Sequence, residues 1–133
     1  MRDNGIKKAG ISQWRYRELK AFCMQYDEKK HEAQQLLGLH AHQLEDTSGR
    51  KDAMNKAALT ATRCEQLLRE CEIIEQAAYE AEPGSRDAII KNVTQGIRFE
   101  ESCYYGERTS FYRARERFFI ILDRMLREQS PGE

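Results

Sequence analysis

The first 82 residues contain no proline, and the chain has only two, Pro83 and Pro131. Proline removes a backbone donor and clashes with the preceding helical turn, so its absence leaves room for long helices. Within that stretch Met54, Ala57, Ala61, Cys64, Leu68, Cys71, Glu75 and Ala78 follow one another by three and four. This is a heptad seam with one acidic interruption, widened by Leu67, Ile73 and Ile74. Many seam residues are small, so a neighbouring helix can approach closely. Runs of β-branched residues are scarce, and the chain reads as all-α.

Residues 1–11 read as a frayed terminus in which Gly5 and Gly10 flank a short basic tract. Ser12 is a plausible cap for a helix running to Leu37, with Leu19, Phe22, Cys23, Tyr26, Ala33, Leu36 and Leu37 inward and Trp14 and Tyr16 in its first turns. Lys29, Lys30 and Glu32 would face water. Gly38 is a natural stop, because glycine takes the left-handed conformation without a Cβ clash. Residues 38–49 then form a loop or a short turn of helix, and Asp46, Thr47 or Ser48 caps a second helix over 49–82. Folded back on the first, it makes a long antiparallel αα-hairpin over 12–82, with arms of roughly 40–50 Å at about 1.5 Å per residue. A stripe this wide also suits packing against a second copy of the chain.

Glu82-Pro83-Gly84-Ser85 ends the hairpin, and Ser85 is placed to cap a short helix over 86–95 with Ala88, Ile89, Ile90 and Val93 inward. Gly96 closes it. Residues 97–106 form a very short helix or an extended turn. A last helix then carries Phe111, Ala114, Phe118, Ile121, Leu122 and Met125 on one face, and Thr109, Ser110, Arg113, Glu116 and Arg117 on the other. Thr109 or Ser110 can cap it. Arg115 falls in the apolar stripe and must snorkel or pair with an acid. Ile120 projects from the polar side, which suits an extra packing surface. Tyr104, Tyr105, Tyr112 and Phe119 read as core rings rather than as platforms for stacked bases. Residues 127–133 read as a disordered tail.

A greasy back with arginines near the start in front is the layout of a DNA recognition helix. It is equally the layout of any surface helix in a charged protein, and the pattern alone favours that plainer reading.

Lys+Arg and Asp+Glu both number 22, so the net charge is zero. That excludes a wholesale nucleic-acid coat and leaves room for a local basic patch. No run approaches eighteen apolar residues, and MRDNGIKKAG lacks the apolar core of a signal peptide, so a membrane span is not expected and the cytoplasm is. Cys23, Cys64, Cys71 and Cys103 form no CxxC pair and read as reduced thiols. His40 and His42 read as ordinary loop histidines rather than metal ligands. No phosphate loop, HExxH or nucleophile elbow occurs, so neither catalytic residues nor a cofactor is expected, and the chain reads as non-enzymatic.

"IIKNVTQGIRFEE" followed by "FYRARERFF" resembles a group of small prophage and mobile-element proteins of Gram-positive bacteria whose ending is similar to region 4 of sigma factors. The late-transcription regulators of the ArpU/RinA type are a looser comparison. "YRELKAFCMQYDEKK" and "CEIIEQAAYEAEP" are similar to that group's amino-terminal hairpin. The resemblance implies a helix-turn-helix-like unit over 85–126, binding to double-stranded DNA and a role in transcription control. It implies that the hairpin serves a homodimer or contacts RNA polymerase. Arg108, Thr109, Ser110, Arg113 and Arg117 would then lie on the recognition helix, and Arg86 and Lys91 would add backbone contacts. The stretch between Gly96 and Phe111 is short for such a unit, and Glu100 and Glu101 would repel phosphate. The rival expectation is a helical homo-oligomeric assembly or adaptor protein, packaging or small-terminase-like, that binds protein.

Overall fold

A computed structural model describes residues 4–45 and 50–129. Their regular elements are all helical: α1 (Asn4–Lys8), α2 (Gln13–Met24), α3 (Tyr26–Glu45), α4 (Arg50–Ala81), α5 (Arg86–Gln95) and α6 (Arg108–Glu128), with single 3-10 turns at Pro83–Ser85 and Phe99–Glu101. The chain is all-α. It divides into two compact units, Tyr26–Glu72, and Met1–Gln25 together with Ile73–Glu133.

The unit Tyr26–Glu72 is an antiparallel helical hairpin. Cys71 Sγ donates to the Tyr26 carbonyl (3.7 Å), Cys64 Sγ to the Ala33 carbonyl (3.5 Å), and His40 Nδ1 bonds the Ala57 carbonyl (3.0 Å). Seven residues forward on α3 thus match seven back on α4, the register of an antiparallel heptad pair. The carbonyl only accepts, so His40 carries its proton on Nδ1. Ala33, Cys64 and Leu67 form the buried seam, with Leu36 and Leu68 against it. Arg63 reaches Glu32 (3.2 Å) on the flank.

Several expectations are corrected in this unit. The first helix does not run unbroken from Ser12 to Leu37, because it is interrupted at Gln25, whose N–H turns back to the Phe22 carbonyl (3.3 Å). The hairpin is therefore α3 with the facing part of α4, not the whole of 12–82. Gly38 is no stop, and α3 continues through it to Glu45. Pairing with α4 persists past it at His40, and that packing outweighs the ~1 kcal/mol that one helical glycine costs. His40 and His42 consequently lie on a helix, not in a loop. Lys29 does not face water: its side chain is 11% exposed and its ammonium sits 3.3 Å from Glu70. Met54 and Leu37, read as seam positions, are 67% and 53% exposed. The proposed caps Asp46, Thr47 and Ser48 lie outside the described residues.

In the other unit, residues 4–11 are not frayed. Ile6 and Ile11 are buried, and Gly10, at φ 84°, turns the chain so that the Ile11 N–H reaches the Ile6 carbonyl (3.2 Å). Ser12 caps α2 by accepting the Arg15 N–H (3.1 Å). Tyr16, Leu19 and Cys23 form the buried side of α2, which packs on α5 and α6, and Tyr16 meets Phe119 edge-on at 5.1 Å. Phe111, Ala114, Phe118 and Leu122 fill the centre as the spacing predicts, with Phe119 beside them. Arg115 does not snorkel. It donates to Asn92 Oδ1 (2.7 Å) and the Tyr16 hydroxyl (2.8 Å) and lies over the Phe119 ring, tying α6 to α5 and α2. Asn92 also donates to the Ile97 carbonyl (3.0 Å) just past Gly96, which closes α5 in the left-handed conformation. Arg15 and Arg127 both grip Asp123, at 2.7 and 2.9 Å. Ser85 makes no side-chain cap. Helix α6 starts after Glu107, leaving Thr109 and Ser110 within its first turn rather than capping it.

Candidate nucleic-acid interface

With Phe111, Ala114 and Phe118 sealed inward, α6 turns Thr109, Ser110, Arg113, Arg117, Ile120, Arg124 and Arg127 outward, at the three-and-four spacing of one open face. The sequence places Thr109, Ser110, Arg113, Arg117 and Ile120 on this side, but only the fold shows what each is bound to.

Arg117 is held by α4. Its Nε and Nη2 both donate to the Ala81 carbonyl, at 3.1 and 2.9 Å, and Nη2 lies 4.0 Å from Glu82. A helix end leaves carbonyls without intrahelical partners and carries partial negative charge, and the guanidinium answers both. Tyr104 completes the cluster by donating to Glu82 (3.0 Å). Burial, then this hydrogen bond to a carboxylate, pushes the Tyr104 phenol above its ordinary value. Arg108 sits 3.1 Å from Glu100 and over the Tyr112 ring. Both members of that ion pair stand largely in water, where such a pair contributes little and exchanges readily for another anion. Arg124 is shared between Glu80 (3.2 Å) and Glu128 (3.9 Å).

Arg113 differs. It is exposed and, among the described residues, its side chain makes no ion pair or hydrogen bond; the same holds for the side chain of Lys91 on α5. Arg86, on the first turn of α5, lies 5.8 Å over the Tyr79 ring. Thr109 and Ser110 are exposed beside Arg113.

The element between α5 and α6 is a single 3-10 turn rather than a helix. Phe99 and Tyr104 pack against Phe111, at 5.4 and 5.2 Å between ring centres, and hold the turn in place. Glu100 and Glu101 are paired in this arrangement with Arg108 and Arg98, at 3.1 and 2.8 Å. Tyr105 is no core ring: it is 94% exposed.

Sequence reading placed a helix over α2 but overlooked α1 and the basic surface that the two helices carry. Trp14, placed simply in a first turn, is 71% exposed with Arg17 stacked 4.8 Å over its ring, and Lys20 lies 4.5 Å over Tyr16. A count of charge by segment is the signal that would have found them.

Among the described residues no three of His, Cys, Asp and Glu gather as metal ligands would. No described helix is long and apolar enough to cross a membrane. Comparisons with protein-family models, curated proteins and solved structures give no match for the chain.

Proposed function

We propose that the chain is a non-enzymatic DNA-binding protein that places the open face of α6 against duplex DNA, with a role in transcription control in a prophage or mobile element. The observation that carries this is Arg113: a guanidinium held outward by a fully buried helix back, exposed and unpaired, with Thr109 and Ser110 alongside. Arginine's planar fork grips guanine or a phosphate in two places. Arg108 joins by exchanging Glu100 for phosphate, and Lys91 supplies a further free cation. Arg86 stands at the start of α5 with its guanidinium over Tyr79, available for a backbone contact. Arg117 belongs to the stability of α6 against α4 more than to DNA. The resemblance of residues 89–101 and 111–119 to sigma-like endings supports the same reading. Binding of mixed-sequence duplex at two salt concentrations tests it: affinity should fall steeply with salt, and Arg113→Ala should weaken it. A wild-type chain that does not bind, or binds without salt dependence, would refute the reading.

The assembly reading is favoured by a different observation. On the hairpin, Leu37, Leu44 and Met54 are 53%, 63% and 67% exposed. Large apolar side chains gathered on a slender helical pair mark a protein-binding surface. We infer that a second copy covers them, making a homodimer; contact with RNA polymerase would use the same side chains. A concentration-independent monomer mass would remove the dimer.

A further inference from the structure

The cations of α6 do not suffice for the function proposed above. Residues 73–133 hold nine Lys and Arg against eleven Asp and Glu. Most of those arginines are also spoken for: Arg98, Arg124 and Arg127 by carboxylates, Arg115 by Asn92 and Tyr16, Arg117 by Ala81, while Arg108 must give up Glu100 to take part. DNA affinity is supplied mainly by cations that replace the counterions condensed on phosphate. A segment of net negative charge with so few free cations is a weak source of it.

Residues 4–25 are the opposite. They hold Lys7, Lys8, Arg15, Arg17 and Lys20 against the single carboxylate of Glu18. Arg15 is committed to Asp123 and Glu18. Lys7, Lys8, Arg17 and Lys20 are exposed and make no ion pair among the described residues. Arg17 stands on the outward side of α2 with Trp14, away from Leu19 and Cys23, and Lys20 lies at the edge of that side over the Tyr16 ring one turn before it, so each cation lies over an aromatic ring rather than beside an acid.

The fold brings this segment next to the open face of α6. Helix α1 packs on α6 so closely that a Cβ added at Gly5 would overlap the Glu116 carboxylate. Glu116 follows Thr109 by seven residues, two turns along nearly the same side of α6. Helix α1, which carries Lys7 and Lys8, therefore borders the side of α6 that carries Thr109 and Arg113.

We propose that α1 and the outer side of α2 form the phosphate-gripping shoulder of the DNA interface, with Lys7, Lys8, Arg17 and Lys20 on the backbone of the duplex and Trp14 against its sugar–phosphate edge. This rests on the DNA-binding reading. It assigns most of the electrostatic affinity to the amino-terminal segment and leaves sequence discrimination to α6.

The test uses the full chain and a labelled mixed-sequence duplex, titrated over a range of salt. The fourfold variant K7A/K8A/R17A/K20A should flatten the dependence of log affinity on log salt by about three to four, near one for each phosphate that a removed cation had neutralised. Arg113→Ala should cost affinity while changing that slope by about one at most. Fluorescence of Trp14, the chain's single tryptophan, should change as duplex is added to the wild type. The four side chains are exposed and make no ion pair among the described residues, so circular dichroism should match the wild type and melting should fall by no more than the two exposed cation–π contacts contribute. An unchanged slope in a folded fourfold variant, or a silent Trp14, overturns the shoulder while leaving α6 binding in place. A wild type that ignores duplex overturns both. Tighter binding to a single strand than to duplex, with Trp14 quenched only by the strand, overturns the assignment to duplex.

Discussion

Arg113 and Arg117 are one turn apart on the same helix face, yet their replacements should have opposite consequences. Arg117→Ala removes two hydrogen bonds, at 3.1 and 2.9 Å, from the Ala81 carbonyl at the end of α4. A hydrogen bond to a charged group contributes about 1.5–3 kcal/mol when well buried. Here the two bonds share one acceptor and the Arg117 side chain is 52% exposed, so solvent screening reduces the pair to about 1–1.5 kcal/mol. Loss of a cation at a helix carboxyl end adds about 0.3–1 kcal/mol. Arg117→Ala should therefore lose about 1.3–2.5 kcal/mol, a fall in Tm of roughly 5–9 °C for a chain this size. Arg113→Ala breaks nothing in the fold and should stay within about 0.5 kcal/mol of the wild type. In duplex binding the order reverses: Arg113→Ala should cost about 1–3 kcal/mol, roughly 5- to 150-fold in Kd. Arg117→Ala, measured well below its Tm, should bind nearly as the wild type does. Denaturant or thermal melts paired with anisotropy titrations measure all four quantities. A wild-type melt for Arg117→Ala would show that the bonds to Ala81 contribute nothing, and equal binding losses for both variants would return Arg117 to the DNA interface.

Three further outcomes follow from particular contacts. Gly38 lies inside α3 with open space where a Cβ would stand, so Gly38→Ala should stabilise the chain by about 0.5–1 kcal/mol in denaturant melts; destabilisation would mean that α3 ends there. Tyr104→Phe keeps the ring packing on Phe99 and Phe111 but loses the bond to Glu82, for about 1 kcal/mol at neutral pH. The folded phenol titrates above the unfolded one, so its contribution is whole below the ordinary tyrosine range and is lost as pH rises through the raised folded value. The stability gap between wild type and Tyr104→Phe should therefore close in alkaline melts, and a gap that widens there would contradict the direction of the shift. Leu44→Glu, at a side chain 63% exposed, should leave the helical content unchanged while lowering the mass seen by light scattering; an unchanged oligomer would move the dimer interface elsewhere.

The helical class, the inward face of α6 and the closure of α5 at Gly96 were all legible in the sequence. Each depends on spacing along one helix or on one residue's backbone freedom, and those are local properties. The heptad of Ala57, Cys64 and Cys71 likewise announced a tight helical partner. The identity of that partner was not local: α3 alone fills the role, because the chain breaks at Gln25 and runs on through Gly38, where packing across the hairpin outweighs one residue's propensity. Charge shows the same division. Sequence can count cations and place them on a face, so the outward arginines of α6 and the basic excess near the amino end were both there to be read. It cannot say which cations are already neutralised, because the acid that answers Arg108 lies eight residues away and the carbonyl that holds Arg117 thirty-six. Only the folding of α4, α5 and α6 against one another brings those partners within hydrogen-bonding distance, and it leaves the Arg113 side chain without a partner among the described residues.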